Sequence, residues 1–439
     1  MKMIDSSPAK HFQIDYKSSK EIYSMDFDLF KLAYFENINK VVYFKGTKCR
    51  ELFTELITEV CTKKNCLRQH LAKELSGTYN SNLSTMQYFI SSKEYFPIYL
   101  TSKIISKLSE ERQEYYKNAF NKSVEYFKCG TSKEWTIFPK KLSAELAWLC
   151  GAIAADGWIT KESFSGYERI GIADFHKKAL LKASLFFMKC FGHEPVVKRH
   201  NKLQCWQIVF RSKAITQFFT TYLGFHYGVK VYDICEPKIL KNSKYRLDYA
   251  SGVMSFDGSV AMDGVVSLGC ASEKLAQDIH TILLENGLKT RLTKKKSEKQ
   301  NLFFVKSEGL LHNVDSSKWI SLFGVDIEKG QRLDALVNGF KDTPLSEQDA
   351  LLRLKHFVNY PSKNECPIYR IFFVLKNKSS IKRQDLLKLT KLPHVTFYKY
   401  VWVLRKANIV SCYTGQFWRG FENTYKFNYN IEEWRVPSL

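Results

Sequence analysis

Two aspartates, Asp156 and Asp257, stand about a hundred residues apart, and each closes an apolar, small-residue stretch and is followed by glycine. The stretches are LAWLCGAIAADGWI (Leu146–Ile159) and LDYASGVMSFDGSV (Leu247–Val260). One Asp-Gly after a helix is ordinarily a turn. The same phrase in two copies predicts two helices, each delivering one carboxylate at its C-terminal tip. Gly151 and Ala155 lie four apart, on one helix face, and Gly252 matches Gly151. Glycine weakens a helix, so its recurrence predicts two helices packed backbone to backbone, with the acids emerging side by side. Two carboxylates that close repel unless a cation is shared between them. Mg²⁺ (or Mn²⁺) suits, because it takes oxygen ligands, keeps several waters and binds phosphate. Such an ion activates water and stabilises the leaving oxygen when a phosphodiester is hydrolysed. Asp156 and Asp257 are therefore the candidate metal ligands.

The elements that must position these acids recur as well. After each Asp-Gly comes β-like sequence, Trp158–Ala173 in the first copy and Ser259–Cys270 in the second. An amphipathic helix ending in glycine follows, Lys177–Gly192 and Ser272–Gly287, then a basic hairpin, Glu194–Ser212 and Leu288–Ser307. A further helix closes each copy, Ala214–Gly224 and Leu310–Gly324. The order is helix–β–β–helix–β–β–helix, twice. A repeat of about a hundred residues predicts one pseudosymmetric domain over residues 142–340, with repeats at about 142–240 and 241–340, not a solenoid.

Residues 1–141 read as a mainly helical region behind a mixed lead-in with two short β-like runs. Within it, Leu67–Leu100 has helix-turn-helix spacing. Leu71, Ala72 and Leu75 would be core, and Asn80, Asn82, Ser84, Thr85 and Gln87 would face phosphates or base edges; an ordinary helical hairpin fits the pattern equally well. Ser109–Tyr126 reads as a helix and Lys128–Lys141 as a linker. Residues 341–439 read as helices, among them Ser380–Leu389 and His394–Ala407, then a hairpin over Ile409–Phe427. That is winged-helix order, and Lys382, Arg383, Thr396, Lys399, Arg405 and Arg419 fall at outward, basic or polar positions, which favours nucleic-acid binding over the alternative of a purely structural role.

The whole chain points to the same partner. Its 67 Lys and Arg against 44 Asp and Glu leave a formal charge of +23. A lysine-rich composition accounts for part of that, but an excess spread along all 439 residues is what a long polyanion selects, here double-stranded DNA. No window approaches the ~18 apolar residues of a membrane span, and there is no apolar signal region at the N-terminus. Eleven cysteines, with no CxxC pair or zinc spacing, fit reduced thiols. A soluble, cytoplasmic protein is expected, nucleoid-associated if the host is a prokaryote.

These motifs resemble the LAGLIDADG homing endonucleases in their single-chain form. Aligned on the nine-letter motif, the copies are LCGAIAADG (Leu149–Gly157) and ASGVMSFDG (Ala250–Gly258), and the resemblance spans residues 142–340. It implies an α+β fold with a duplicated αββαββα core, and a site-specific endonuclease that is a monomer and acts on a long, asymmetric duplex site. It makes the last Asp of each motif the metal ligand, and places Ala154 and Ser255 where the earlier Asp of the name stands. From the stretch LGFHYGVKVYDICEPKIL it places Lys230 near the attacking water or scissile phosphate, and from FGVDIEKGQRL its counterpart Lys329. Counting back from Gly192 and Gly287 puts a water-orienting polar residue at His176 and its counterpart at Ala271, an asymmetric pocket. One departure is Phe256, where the family has a small residue; its ring would widen the helix pair or displace Asp257.

The DNA-reading surface would be two β-saddles, whose alternate side chains meet base edges while loop lysines take phosphates. The first offers Trp158, Lys161, Tyr167, Arg169, Lys198, Arg199, His200, Lys202, Gln204 and Gln207. The second offers Ser259, Arg291, Lys294, Lys295, Lys296, Lys299 and Gln300. The rival reading is a catalytically weak or inactive DNA-binding regulator, or an RNA-splicing maturase, on the same scaffold.

Overall fold

A computed structural model describes residues 26–32, 41–78, 83–91, 94–130, 134–161, 168–200, 203–228, 233–262, 264–296, 301–308, 316–357, 367–378, 380–417 and 420–428. The fold is α+β, with small antiparallel sheets among packed helices.

The N-terminal unit starts at β1 (Val42–Lys45), which turns Val42 and Phe44 inward and Tyr43 and Lys45 outward, the period-2 pattern of a half-buried strand. Helix α1 (Cys49–Lys63) buries Phe53, Leu56, Ile57 and Val60 on one stripe. Helices α2 (Arg68–Thr78) and α3 (Leu83–Ser91) follow, then β2 (Phe96–Pro97), α4 (Ile98–Ile105), α5 (Glu110–Ser123), β3 (Tyr126–Cys129) and β4 (Thr136–Ile137). Leu71, Ala72 and Leu75 are core. Ser84 and Gln87 are exposed and Thr85 half-buried, while Asn80 and Asn82 lie outside the described residues. The sheet order is β2-β1-β3-β4. The segment expected as a linker, Lys128–Lys141, thus carries the end of β3 and all of β4.

The middle of the chain runs twice through one order of elements. The first pass is α6 (Ala144–Asp156), β5 (Gly157–Lys161), β6 (Glu168–Asp174), α7 (Lys177–Phe191), β7 (Lys198–Arg199), β8 (Trp206–Phe210) and α8 (Lys213–Leu223). The second is α9 (Arg246–Asp257), β9 (Gly258–Val260), β10 (Val266–Cys270), α10 (Glu273–Glu285), β11 (Thr290–Lys296), β12 (Asn301–Ser307) and α11 (Ser316–Phe323). Both sheets take their strands in the order first, second, fourth, third. Ser143 caps α6 by accepting the Leu146 amide at 3.2 Å, and Ser272 caps α10 by accepting the Leu275 amide at 3.2 Å.

Helix α12 (Glu328–Asn338) leads to the C-terminal unit: α13 (Glu347–Phe357), α14 (Pro367–Lys378), β13 (Ser380–Lys382), α15 (Arg383–Thr390), α16 (His394–Lys406), β14 (Val410–Phe417) and β15 (Gly420–Phe427). The helix expected from Ser380 starts three residues later, because Ser380–Lys382 pairs with β15 as a third strand.

Side chains join the three parts. Phe27 packs edge-on against Phe218 of α8 at 4.8 Å, and the Cys129 thiol donates to Gln217 at 2.8 Å. Toward the C-terminus, Arg332 Nε donates to the His356 carbonyl at 3.0 Å and Lys406 Nζ to the Val337 carbonyl at 2.6 Å. No described helix is long and apolar enough to cross a membrane.

Candidate functional site

The site is built on the crossing of α6 and α9. A Cβ placed on Gly151 would stand 2.1 Å from the Tyr249 carbonyl oxygen, and one on Gly252 would stand 2.1 Å from that of Trp148. The two clashes are reciprocal: each glycine meets the carbonyl oxygen three residues before the other. Only glycine fits at either position, and this close approach offsets its helix cost. Phe256 does not part the helices. Its buried ring meets Trp148 edge-on at 5.8 Å while the backbones still touch at the glycines.

Asp156 is the last residue of α6 and Asp257 the last of α9, and each chain then enters a strand at glycine. Both are half-buried, and both carboxylates act on the ammonium of Lys329, in the first turn of α12. Burial pushes the Lys329 pKa below its ordinary value; Asp174, Asp156 and Asp257 oppose that shift. Its Nζ donates to the backbone carbonyl of Phe256, beside Asp257.

The residues around Lys329 include three that pattern reading did not pick out. Asp174 ends β6 on the buried side of the strand, in line with Ile170 and Ile172. Its Oδ1 accepts the His176 amide at 3.0 Å, and its Oδ2 is buried without a hydrogen bond. Burial raises the Asp174 pKa, and the same cause lowers that of His176. Arg332, one turn beyond Lys329, is held below its ordinary pKa by burial. Glu328 Oε1 accepts the Lys178 amide at 3.2 Å, placing a carboxylate at the start of α7 where the helix dipole favours one. Spacing could have found Arg332, which is i+3 from Lys329; strand alternation through Ile170 and Ile172 could have found Asp174.

The second half answers with different chemistry. Gly157 pairs with Ile172, and Gly258 pairs with Leu268. Counting on from those pairs, Asp174 corresponds to Cys270 and His176 to Ser272. The expected counterpart Ala271 is therefore off by one residue: α7 has 15 residues and α10 has 13, so counting back from the closing glycines loses register. The Cys270 thiol is pushed up to about 11 by burial and by the Asp257 carboxylate. Lys230 lies outside the described residues.

Alternation divides the expected DNA-reading residues between faces. On the first sheet, Trp158 lies opposite Gly171, Arg169 opposite Thr160, and Lys198 opposite Gln207, all on the face turned from the core. A Cβ on Gly171 would strike the Trp158 ring at 2.4 Å, so the glycine lets that ring lie across the sheet. Lys161 and Arg199 extend from the other face, paired with Glu168 and Trp206. Gln204 is exposed in the β7–β8 turn. On the second sheet Arg291 and Lys295 share one exposed face with Lys306, whereas Lys294 and Lys296 point to the other, with Lys294 5.2 Å from the Phe303 ring centroid. Lys382 is exposed; Arg383 is tied to the Tyr398 hydroxyl at 3.0 Å, one residue from Lys399 on α16. Tyr167, Lys202, Lys299, Gln300 and Arg419 lie outside the described residues.

Among the described residues no group of three or more His, Cys, Asp or Glu side chains is placed to hold a metal ion. Two carboxylates suffice for a hard cation that keeps most of its waters. The donors at the helix tips, the carboxylates of Asp156 and Asp257, are all oxygen. The residues present therefore fit Mg²⁺ or Mn²⁺ better than a softer metal.

No family model matches the chain. Among solved structures, it is similar to the homing endonuclease I-DmoI in complex with DNA and Ca, at 13% identity over 38% of this chain and 83% of that one, with a TM-score of 0.30. It is similar to the homing endonuclease I-WcaI bound to its DNA recognition sequence, at 14% identity over 44% of this chain and 80% of that one, TM-score 0.28. Full-length DUF199/WhiA from Thermatoga maritima aligns at 13% identity over 61% of this chain and 92% of that one, TM-score 0.27.

Proposed function

We propose that the chain is a site-specific DNA endonuclease of the homing type. Residues 142–340 would form a duplicated LAGLIDADG core, 1–141 a helical DNA-binding region and 341–439 a winged-helix domain. The observation that carries this reading is the reciprocal Gly151–Gly252 crossing, which ends in Asp156 and Asp257 around the buried ammonium of Lys329. Asp156 and Asp257 would hold Mg²⁺ or Mn²⁺, which when bound lowers the pKa of water and stabilises the leaving oxygen. Lys329 and Arg332 set positive charge where a scissile phosphate gains negative charge. His176, whose pKa burial lowers, orients a water or accepts its proton. Lys230 would supply the first half's matching cation. Trp158, Arg169, Lys198, Arg291 and Lys295 face the duplex, with no partner chain needed, since one chain carries both halves.

The test is incubation with the DNA of its own insertion site, with and without Mg²⁺. Cleavage that is lost in Asp156→Asn and in Asp257→Asn, with duplex binding retained, is the expected result. Either variant cutting as fast as the parent would sink the assignment. The second reading, a DNA-binding regulator or RNA-splicing maturase, is favoured by one observation: the Lys329 ammonium is engaged by the Phe256 carbonyl. Footprinting without strand scission in Mg²⁺ or Mn²⁺ would establish it.

A further inference from the structure

The outward face of the N-terminal sheet carries aromatic rings and lysines in alternation. Tyr43 lies directly opposite Lys128 and Lys45 opposite Tyr126 on β1 and β3. Tyr95, just before β2, stands edge-on to Tyr43 with centroids 5.5 Å apart, and Trp135, just before β4, is 5.8 Å from Tyr95. The Lys128 ammonium sits among Tyr43, Tyr95 and Trp135 at 5.7, 4.5 and 4.8 Å from their centroids. The Lys45 ammonium is 4.5 Å from Trp135 and 5.2 Å from Tyr126. All six side chains are half-buried at the surface. The opposite face of the same strands is core: Val42, Phe44, Phe127 and Cys129 are buried.

A structural cluster of this kind would pair its lysines with carboxylates. No ion pair among the described residues involves Lys45 or Lys128. Glu125, whose carboxylate acts on Lys45, accepts the amide and hydroxyl of Thr47 on its Oε1 at 3.0 and 2.9 Å. Burial, and then repulsion by the Lys45 ammonium, push the Lys128 pKa down. The face thus sets two ammoniums among four rings.

We propose that this face is a stacking platform for single-stranded DNA, with bases on Tyr43, Tyr95 and Trp135 and phosphates on Lys45 and Lys128. Aromatic rings accept any base through its π-face, and interleaved cations follow the backbone. The outward strand positions are Tyr43, Lys45, Tyr126, Lys128 and Ile137, with no amide or carboxylate to read a base edge or select a ribose. Stacking and phosphate contacts alone give little sequence preference, and the commitment to DNA rests on the proposed function, whose target is DNA. The surface is separate from the two saddles and does not depend on phosphodiester cleavage.

The experiment is fluorescence anisotropy of a short labelled oligo-thymidylate with the full chain, beside a labelled duplex. Trp135→Leu should weaken single-strand binding about tenfold, the loss of one stacked base. Lys45→Gln/Lys128→Gln, which keeps every ring, should lower the slope of log K against log salt by about 1.4, two phosphates released. Duplex binding should be unchanged in both, and thermal melting checks that each variant is folded. If Trp135→Leu fails to fold, the lysine pair decides alone. Parental single-strand affinity and slope in the variants would overturn the proposal. So would an equal loss of duplex binding, or an oligo-uridylate that binds more tightly than the oligo-thymidylate.

Discussion

Gly151 and Gly252 face each other so closely that a Cβ built on either would stand 3.0 Å from the other's Cα. The nearest obstacles are backbone, which cannot swing aside. Gly151→Ala or Gly252→Ala should therefore cost about 3 kcal/mol, at the upper end for an overpacked core. Gly77→Ala is the control: it lies in α2 with nothing within 4 Å of its Cβ and should gain about 0.5 kcal/mol. Chemical denaturation measures both; equal effects would refute the close crossing.

Arg246 opens α9 and grips Glu236 with both arms, Nε to Oε1 at 2.7 Å and Nη2 to Oε2 at 2.9 Å. The Glu236 side chain is only 1% exposed. Arg246→Met should destabilise by about 3–5 kcal/mol, because it strands a buried carboxylate. Adding Glu236→Gln should restore a large part. A double variant no better than the single would show that the arginine acts by packing instead.

Burial holds the His176 imidazole below its ordinary pKa. As pH falls through the unfolded value of about 6.5, the unfolded chain takes up this proton first, so folded stability drops until the folded pKa is passed. Asp174, raised by burial, acts in the opposite sense: its contribution is full below the unfolded carboxylate pKa and fades as pH rises through the folded one. His176→Gln should therefore lose less Tm than the parent between about pH 7.5 and about pH 5.5. An identical loss in both chains would mean that other groups set the acid limb.

Lys294 and Lys295 are adjacent yet lie on opposite faces of β11. Lys295 shares its face with Arg291 and Lys306, whereas Lys294 rests over the Phe303 ring. Lys295→Ala should lower the salt slope of duplex binding by about 0.9, one phosphate contact, and Lys294→Ala should leave it unchanged. Equal slopes for the two variants would place the duplex elsewhere.

The motif helices were legible because their cue is doubled: small residues at one spacing, then an acid, in two places. The strands of the two sheets were legible from alternation and from glycines that close the preceding helices. Asp174 was not. In RIGIAD the inward run of Ile170 and Ile172 ends in a carboxylate, and a charged residue reads as the end of a strand when the partner that makes it tolerable, Lys329, lies on a remote helix. The Lys128–Lys141 segment hid its strands because two residues carry no period; only Thr136 and Ile137 pair with Phe127 and Tyr126. Which basic residues share a saddle face also needed registers that charge counting does not contain.

Helix α12 has Lys329 and Arg332 at one end and, at the other, the Val337 carbonyl that anchors Lys406. Each residue turns a helix by about 100° and advances it by about 1.5 Å. One residue inserted between Arg332 and Val337 would therefore swing the site's two cations away from the aspartates or tear the C-terminal unit from its seat. A change in the length of this rod moves everything beyond it, whereas a point change acts only where it sits, as at Gly330, whose Cβ would stand 1.8 Å from the Gly324 carbonyl oxygen. Natural or engineered exchange of the C-terminal unit should succeed only at a seam beyond Phe340, where the phase of the helix no longer matters.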